Sequence, residues 1–167
     1  MSTLEKDELR NLLIKNWMTH DAMWFANCYV SCGIEKTNEI NKAAVKGMAM
    51  VEIKRMKKAL GFGDIRSFAD LEQLVNGAIS IMLGDFLDFH VSFPEKNVMR
   101  ADMRRCFAYE GVSALGAIDG YQCGIFDRID GWFESLEIPF DVNPQIDGCL
   151  MHTEGRCIRD HSFTFAD

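Results

Sequence analysis

Four of the six cysteines, Cys106, Cys123, Cys149 and Cys157, fall in the last 62 residues, with His152 between the last two. The pattern is Cys-x16-Cys-x25-Cys-x2-His-x4-Cys. Thiolates and an imidazole gathered on one small sheet can hold a soft metal, supply a nucleophile or fill a core. If residues 149–157 form a hairpin end centred on Thr153, Cys149 and Cys157 face each other with Cβ atoms roughly 4.5–5.5 Å apart. Two thiolates at that separation can share zinc, whose bonds to sulfur are about 2.3 Å long, or iron as the alternative. Cys106 and Cys123 bracket a helical connection and can approach from one end of the sheet. The ligand set is then Cys106, Cys123, Cys149 and Cys157, with His152 as an alternative ligand. The spacing lacks the Cys-x2-Cys knuckles of common zinc modules. Free cysteine is also among the most buried residue types, so a core role is the competing reading.

A second group lies in Trp17-Met18-Thr19-His20-Asp21-Ala22-Met23-Trp24. Helical spacing places Trp17, Asp21, Trp24 and Cys28 along one face, with His20 beside it. If that face is buried, Asp21 needs a partner. A carboxylate and an imidazole in an aromatic pocket suit proton transfer, and a capping or interhelical polar contact is the alternative. Cys28 and Cys32 sit four residues apart and can touch. Asn27 and Glu52 are further polar candidates. There is no Gly-rich phosphate loop, no His-Glu-x-x-His and no Gly-x-Ser-x-Gly elbow.

The elements that position these residues follow from periodicity. Residues 5–31 read as one helix, with apolar positions at Leu9, Leu13, Trp17, Trp24 and Cys28 and a stop at Gly33. A second helix runs from Thr37 to Leu60 with Ile40, Ala44, Met48, Val51 and Met56 as its apolar face. Ser67 and Asp70 form a capping box that starts a third helix ending near Gly84. Period-two alternation then begins in Phe86–Phe93. Pro94-Glu95-Lys96-Asn97 is turn chemistry, and Val98–Arg105 is a partner strand. Cys106–Ile118 reads as a short helix or loop, and Gly124–Leu136 as an amphipathic helix. Pro139–Asp147 and Cys157–Phe165 read as two final strands. Helices followed by strand pairs indicate α+β architecture, a helical half (residues 1–84) packed on an antiparallel sheet (residues 85–167) in one domain.

The net charge of −7 argues against nucleic-acid binding, which needs a basic face. The basic run Lys54-Arg55-Met56-Lys57-Lys58 is explained by a helix C-terminus. No stretch approaches a membrane span and the start lacks a signal-peptide pattern, so the expected location is cytoplasmic, with reduced thiols. Ten methionines and twelve phenylalanines suit an adaptable apolar interior.

The segments Trp17–Phe25, Gly33-Ile34-Glu35-Lys36, Asn41-Lys42-Ala43-Ala44, Gln122-Cys123-Gly124 and Asn143-Pro144-Gln145-Ile146 resemble an uncharacterised bacterial family near the L-2-amino-thiazoline-4-carboxylic acid hydrolases. That resemblance implies a hydrolase opening a C–N bond of a small cyclic or amide-like substrate. Cys123 or a metal-bound water would attack, and His20 with Asp21 would move protons. Residues 86–165 are also similar to the vinyl-4-reductase-type ligand-binding domain, through Cys106, Cys123-Gly124, Gly131, Cys149, Gly155, Cys157 and Phe163-Thr164-Phe165. That domain shares its fold with haem nitric-oxide sensors and Golgi-transport subunits. The likeness implies a bound small, often apolar molecule and a cysteine-held metal.

Three functions therefore stand as expectations. The first is a small-molecule-binding domain with a thiolate metal site and a pocket lined by Trp17, Asp21, Trp24 and Cys28. The second is the hydrolase. The third is a non-enzymatic protein that forms a homodimer through its N-terminal helices.

Overall fold

The computed structural model describes residues 3–84 and 87–165. Chain order is α1 (Lys6–Ala59), α2 (Phe68–Met82), β1 (Asp88–Glu95), β2 (Val98–Arg105), α3 (Phe107–Ala114), a 3-10 turn at Ile118–Gly120, α4 (Gly124–Ser135), β3 (Phe140–Asn143), α5 (Leu150–Glu154) and β4 (Cys157–Phe163). The architecture is α+β, with helices packed on a four-stranded antiparallel sheet of order β1-β2-β4-β3.

The two expected N-terminal helices run on as α1, broken only at Gly33, whose φ of 75° and ψ of 173° are not helical. Only glycine adopts this conformation without strain. The Thr37 hydroxyl donates to the Gly33 carbonyl at 2.7 Å, so the second segment is held immediately after the break.

The buried face of that second segment differs from the expected one. Thr37, Asn38, Ala49, Ile53 and Met56 are buried, whereas Ile40 and Val51 are exposed. The reason is polar. Asn38 donates from Nδ2 to the Gly120 carbonyl and accepts from the Gln122 N–H. Glu52 binds Arg128 and Trp132. Once their hydrogen bonds are satisfied, these polar groups can face inward, and they turn the Ile40–Val51 side to solvent.

The capping box is present: Ser67 Oγ accepts from the Asp70 N–H and Asp70 Oδ2 accepts from the Ser67 N–H. It starts α2, whose Leu71, Leu74, Val75 and Ala78 enter the core. The β1–β2 hairpin turns at Lys96-Asn97, with Asn97 at φ 61°, a conformation asparagine tolerates. Phe86, the start of the alternation read from the sequence, lies outside the described residues. Along β2, Met99, Ala101 and Met103 face inward, and they pair with His161, Arg159 and Cys157 of β4. The opposite face carries the Arg100–Asp160 ion pair. One covered face and one polar face is the usual economy of an antiparallel sheet.

α4 lies between α1 and the sheet. Its Phe126, Ile129, Trp132 and Phe133 are buried, each contributing roughly 1.5–3 kcal/mol on burial. Gly131 lets α1 approach: a Cβ there would sit 3.0 Å from Ala49 Cβ and 3.4 Å from the Lys46 carbonyl oxygen.

The final hairpin is not as expected. β3 pairs with β4, but residues 150–154 between them form α5 and end at Gly155 in the left-handed region. Cys149 is therefore not a strand residue opposite Cys157. It stands at the start of a helical turn that reverses the chain.

Candidate functional site

α1, α2, α4 and the sheet do not close completely on one another. A cavity of about 260 Å³ remains, bounded by both segments of α1, the end of α2, β1, β2, α3 and α4. Its walls are apolar: Ile14, Met18, Phe25, Val45, Met48, Met82, Phe89, Met103, Phe107, Ile129 and Trp132 among them. An apolar cavity of about 150 Å³ already accepts benzene, so this one has room for a ring carrying a short chain. Five methionines in the wall, Met18, Met23, Met48, Met82 and Met103, can repack around differently shaped guests.

Few polar groups of the described residues reach this space. Trp17, Asp21, Asn41, Tyr121 and Arg128 line it. Arg128 is clamped: Nε and Nη2 donate to the Glu52 carboxylate, Nη2 also meets Met82 Sδ at 3.5 Å, and the guanidinium lies 4.9 Å from the Trp17 ring centroid. Trp132 Nε1 donates to the same Glu52 at 3.0 Å. The Arg128 and Glu52 side chains are each only 14% exposed. The pair is therefore a nearly buried, mutually neutralising unit in the wall. Asp21 is exposed at the rim and makes no hydrogen bond or ion pair with a described residue.

Below the cavity lies the cysteine cluster. Cys106, Cys123, Cys149 and Cys157 line one gap of about 10 Å³ together with Tyr121, Phe126 and Ile146, a volume no larger than one water needs. Cys106, Cys123 and Cys149 immediately precede α3, α4 and α5, and Cys157 opens β4. Cys106 Sγ accepts from the Tyr109 N–H at 3.5 Å, and Cys123 occupies the corresponding position before α4. Helix N-termini favour a thiolate, but burial dominates. It pushes the Cys106 thiol up, and the Cys123 thiol up to about 12. Cys157 is also pushed up to about 12, by burial first and then by the neighbouring Cys123, Cys106 and Cys149. At neutral pH these groups are thiols, poor nucleophiles without a cation to draw off their protons. Among the described residues, no three His, Cys, Asp or Glu side chains stand in a ready-made ligating arrangement. Four sulfurs on four chain segments nevertheless line one gap, and the Cys106 sulfur already receives a helix N–H group.

The residues singled out from the sequence separate. Trp17 and Asp21 line the cavity. Trp24 does not: it is 62% exposed, and its Nε1 donates to His20 Nε2 at 3.1 Å on the outer side of the helix. Cys28 is half-buried outside the cavity, and the exposed Cys32 binds the Cys28 carbonyl. His152 stays on the surface, with Nε2 3.0 Å from Asp119 Oδ1, away from the thiols. His20, Asp21 and Cys123 do not meet: His20 is at the surface, Asp21 at the cavity rim and Cys123 in the thiol gap.

Two groupings escaped sequence reasoning. One is the Glu52–Arg128–Trp132 unit. The other is a buried cluster on the sheet: Asp130 accepts from Arg159 Nη1 at 2.9 Å and lies 2.8 Å from His161 Nε2. His161 is fully buried among Phe133, Phe140 and Phe163. Strand alternation with Cys157 and Phe163 would have placed Arg159 and His161 inward. Their partner on α4 has no local signal.

No helix among the described residues is long and apolar enough to cross a membrane. No curated protein and no solved structure matches the chain. One family profile does, over residues 2–108, a span that takes in α1, α2, β1 and β2 and ends just past Cys106. That is well over half of the sequence, and the chain belongs to DUF6125, a family of unknown function.

Proposed function

We propose that this protein binds a small apolar molecule in the cavity beneath the N-terminal segment of α1, and that a soft metal, zinc or iron, ties together the four thiols under it. The observation that carries the first part is the cavity itself: about 260 Å³ of apolar space, where protein interiors ordinarily leave voids no larger than a water. The similarity of residues 86–165 to the vinyl-4-reductase-type domain supports the same reading. Ligand entry is tested with a fluorescent apolar probe and the variant Ala22→Trp, which fills the cavity from α1. Saturable probe binding, lost in Ala22→Trp with the fold retained by circular dichroism, is expected. Absence of saturable binding to the native chain overturns it.

The metal would be structural. It would draw the protons from the buried thiols and fix the starts of α3, α4, α5 and β4 against each other, so that the cavity floor keeps its shape. Elemental analysis of native protein is expected to give close to one metal per chain, lost in Cys149→Ser and Cys157→Ser. Metal-free native protein in which all six cysteines titrate makes the cluster a core element.

A second reading concerns assembly, and a specific observation favours it. Leu9, Leu12, Leu13 and Trp24 are exposed on the side of α1 away from the cavity. We propose that a second copy of the chain covers them.

A further inference from the structure

The charges around the cavity point to the chemical class of its occupant, an inference that rests on the small-molecule reading above. Among the described residues the wall offers one positive group, Arg128, and its charge is already cancelled by Glu52 on the same guanidinium. Asn41 and Tyr121 are neutral. Among the described residues that line the cavity, Asp21 is the one carboxylate or ammonium without an ion-pair partner. It sits at the rim, so a guest lying in the cavity ends beside it. A guest with a carboxylate would meet Asp21, and Arg128 is already held by Glu52, so no free cation among the described lining residues answers it. An alcohol would gain no charge interaction. A guest with a protonated amine keeps its ammonium at the wet rim against Asp21 and its hydrocarbon inside, which avoids burying an unpaired charge. The chain's net charge of −7 adds a background potential of the same sign.

We infer that the cavity selects apolar amines: a hydrocarbon chain or ring seated among the methionines and Trp17, and an ammonium group held at the rim by the Asp21 carboxylate. Asp21 acts as the specificity-determining residue and performs no proton transfer in this role.

The test compares n-octylamine, n-octanol and n-octanoate at neutral pH, by isothermal titration calorimetry on the full chain, native and Asp21→Asn. The three probes share one apolar body and differ in the head group. Native protein is expected to bind octylamine at least tenfold more tightly than octanol, with octanoate weakest. Asp21→Asn is expected to bring octylamine to the octanol level while octanol is unchanged, which also shows that the variant is folded. The octylamine preference should shrink in high salt, as a rim ion pair is screened. Equal affinity for amine and alcohol, or an amine preference that survives Asp21→Asn, overturns the inference and leaves the cavity reading standing. So does a preference for octanoate. No binding of any of the three overturns both.

Discussion

At the residue scale the cysteines carry a prediction with a definite sign. Cys123 and Cys157 titrate near 12 in the folded chain against an ordinary value of 9.0. A raised folded value means that the neutral thiol is favoured by folding. That stabilisation is complete below pH 9 and is lost as pH climbs from there towards 12. Metal-free protein should therefore lose stability across this window in urea titrations, and Cys157→Ser should show a shallower loss than the parent. Added zinc should reverse the dependence near neutrality, binding more tightly as pH rises because ligation releases protons. A second prediction concerns Glu52. Glu52→Ala leaves Arg128 nearly buried with no counter-charge and the Trp132 Nε1–H without its acceptor. The expected cost is about 3–5 kcal/mol by denaturant unfolding. Glu52 stood out little in the sequence because a lone glutamate on a long helix is usually a solvated one. Its role depends on Arg128, 76 residues further on. The four cysteines were legible as a set because thiols are rare and chemically distinctive. The hairpin geometry that would have paired Cys149 with Cys157 was not, since a five-residue helix carries almost no periodic signal.

At the scale of elements, glycines decide how α1 is used. Gly33 lies in a region of conformation closed to residues with a Cβ, so Gly33→Ala should cost about 1–3 kcal/mol. The expected readout is a lower melting temperature together with weaker probe binding, because both segments of α1 line the cavity. The sequence marked Gly33 as a helix end, and local chemistry supported that. What it could not convey is that the chain resumes helix at once, since the direction of the second segment is set by Asn38 and Glu52 binding distant partners. Gly131 works differently. Its backbone is ordinary, but it stands against Ala49 and Lys46. Gly131→Leu should wedge α4 from α1 and cost about 1–3 kcal/mol, measured by chemical denaturation. The capping box at Ser67 and the β1–β2 turn were readable because both are completed within four residues. Elements whose faces are chosen by tertiary hydrogen bonds were not.

At the scale of the molecule, the N-terminal segment of α1 presents two apolar faces. One roofs the cavity through Ile14, Met18 and Phe25. The other carries Leu13 and Trp24 at 59% and 62% exposure, with Leu9 and Leu12 alongside. Sequence periodicity reads Leu9, Leu13, Trp17 and Trp24 as one apolar stripe, yet of these only Trp17 lines the cavity. A contiguous exposed apolar face of this kind marks an interaction surface. The charges indicate the partner. The chain as a whole carries −7, so two copies repel in general. Residues 6–32, however, balance Lys6, Arg10 and Lys15 against Asp7, Glu8 and Asp21, three cations to three anions. This segment is where two copies can approach without a charge penalty, and pairing about a two-fold axis would cover the same face on each. Light scattering is expected to give twice the chain mass at micromolar concentration, falling to one chain mass for Leu13→Asp with Trp24→Asp. Neither residue lines the cavity, so the double variant should bind octylamine as the parent does. A native chain that stays monomeric at high concentration excludes the dimer. A double variant that dissociates and also loses the amine would instead mean that the roof of the cavity depends on the partner copy to hold its place.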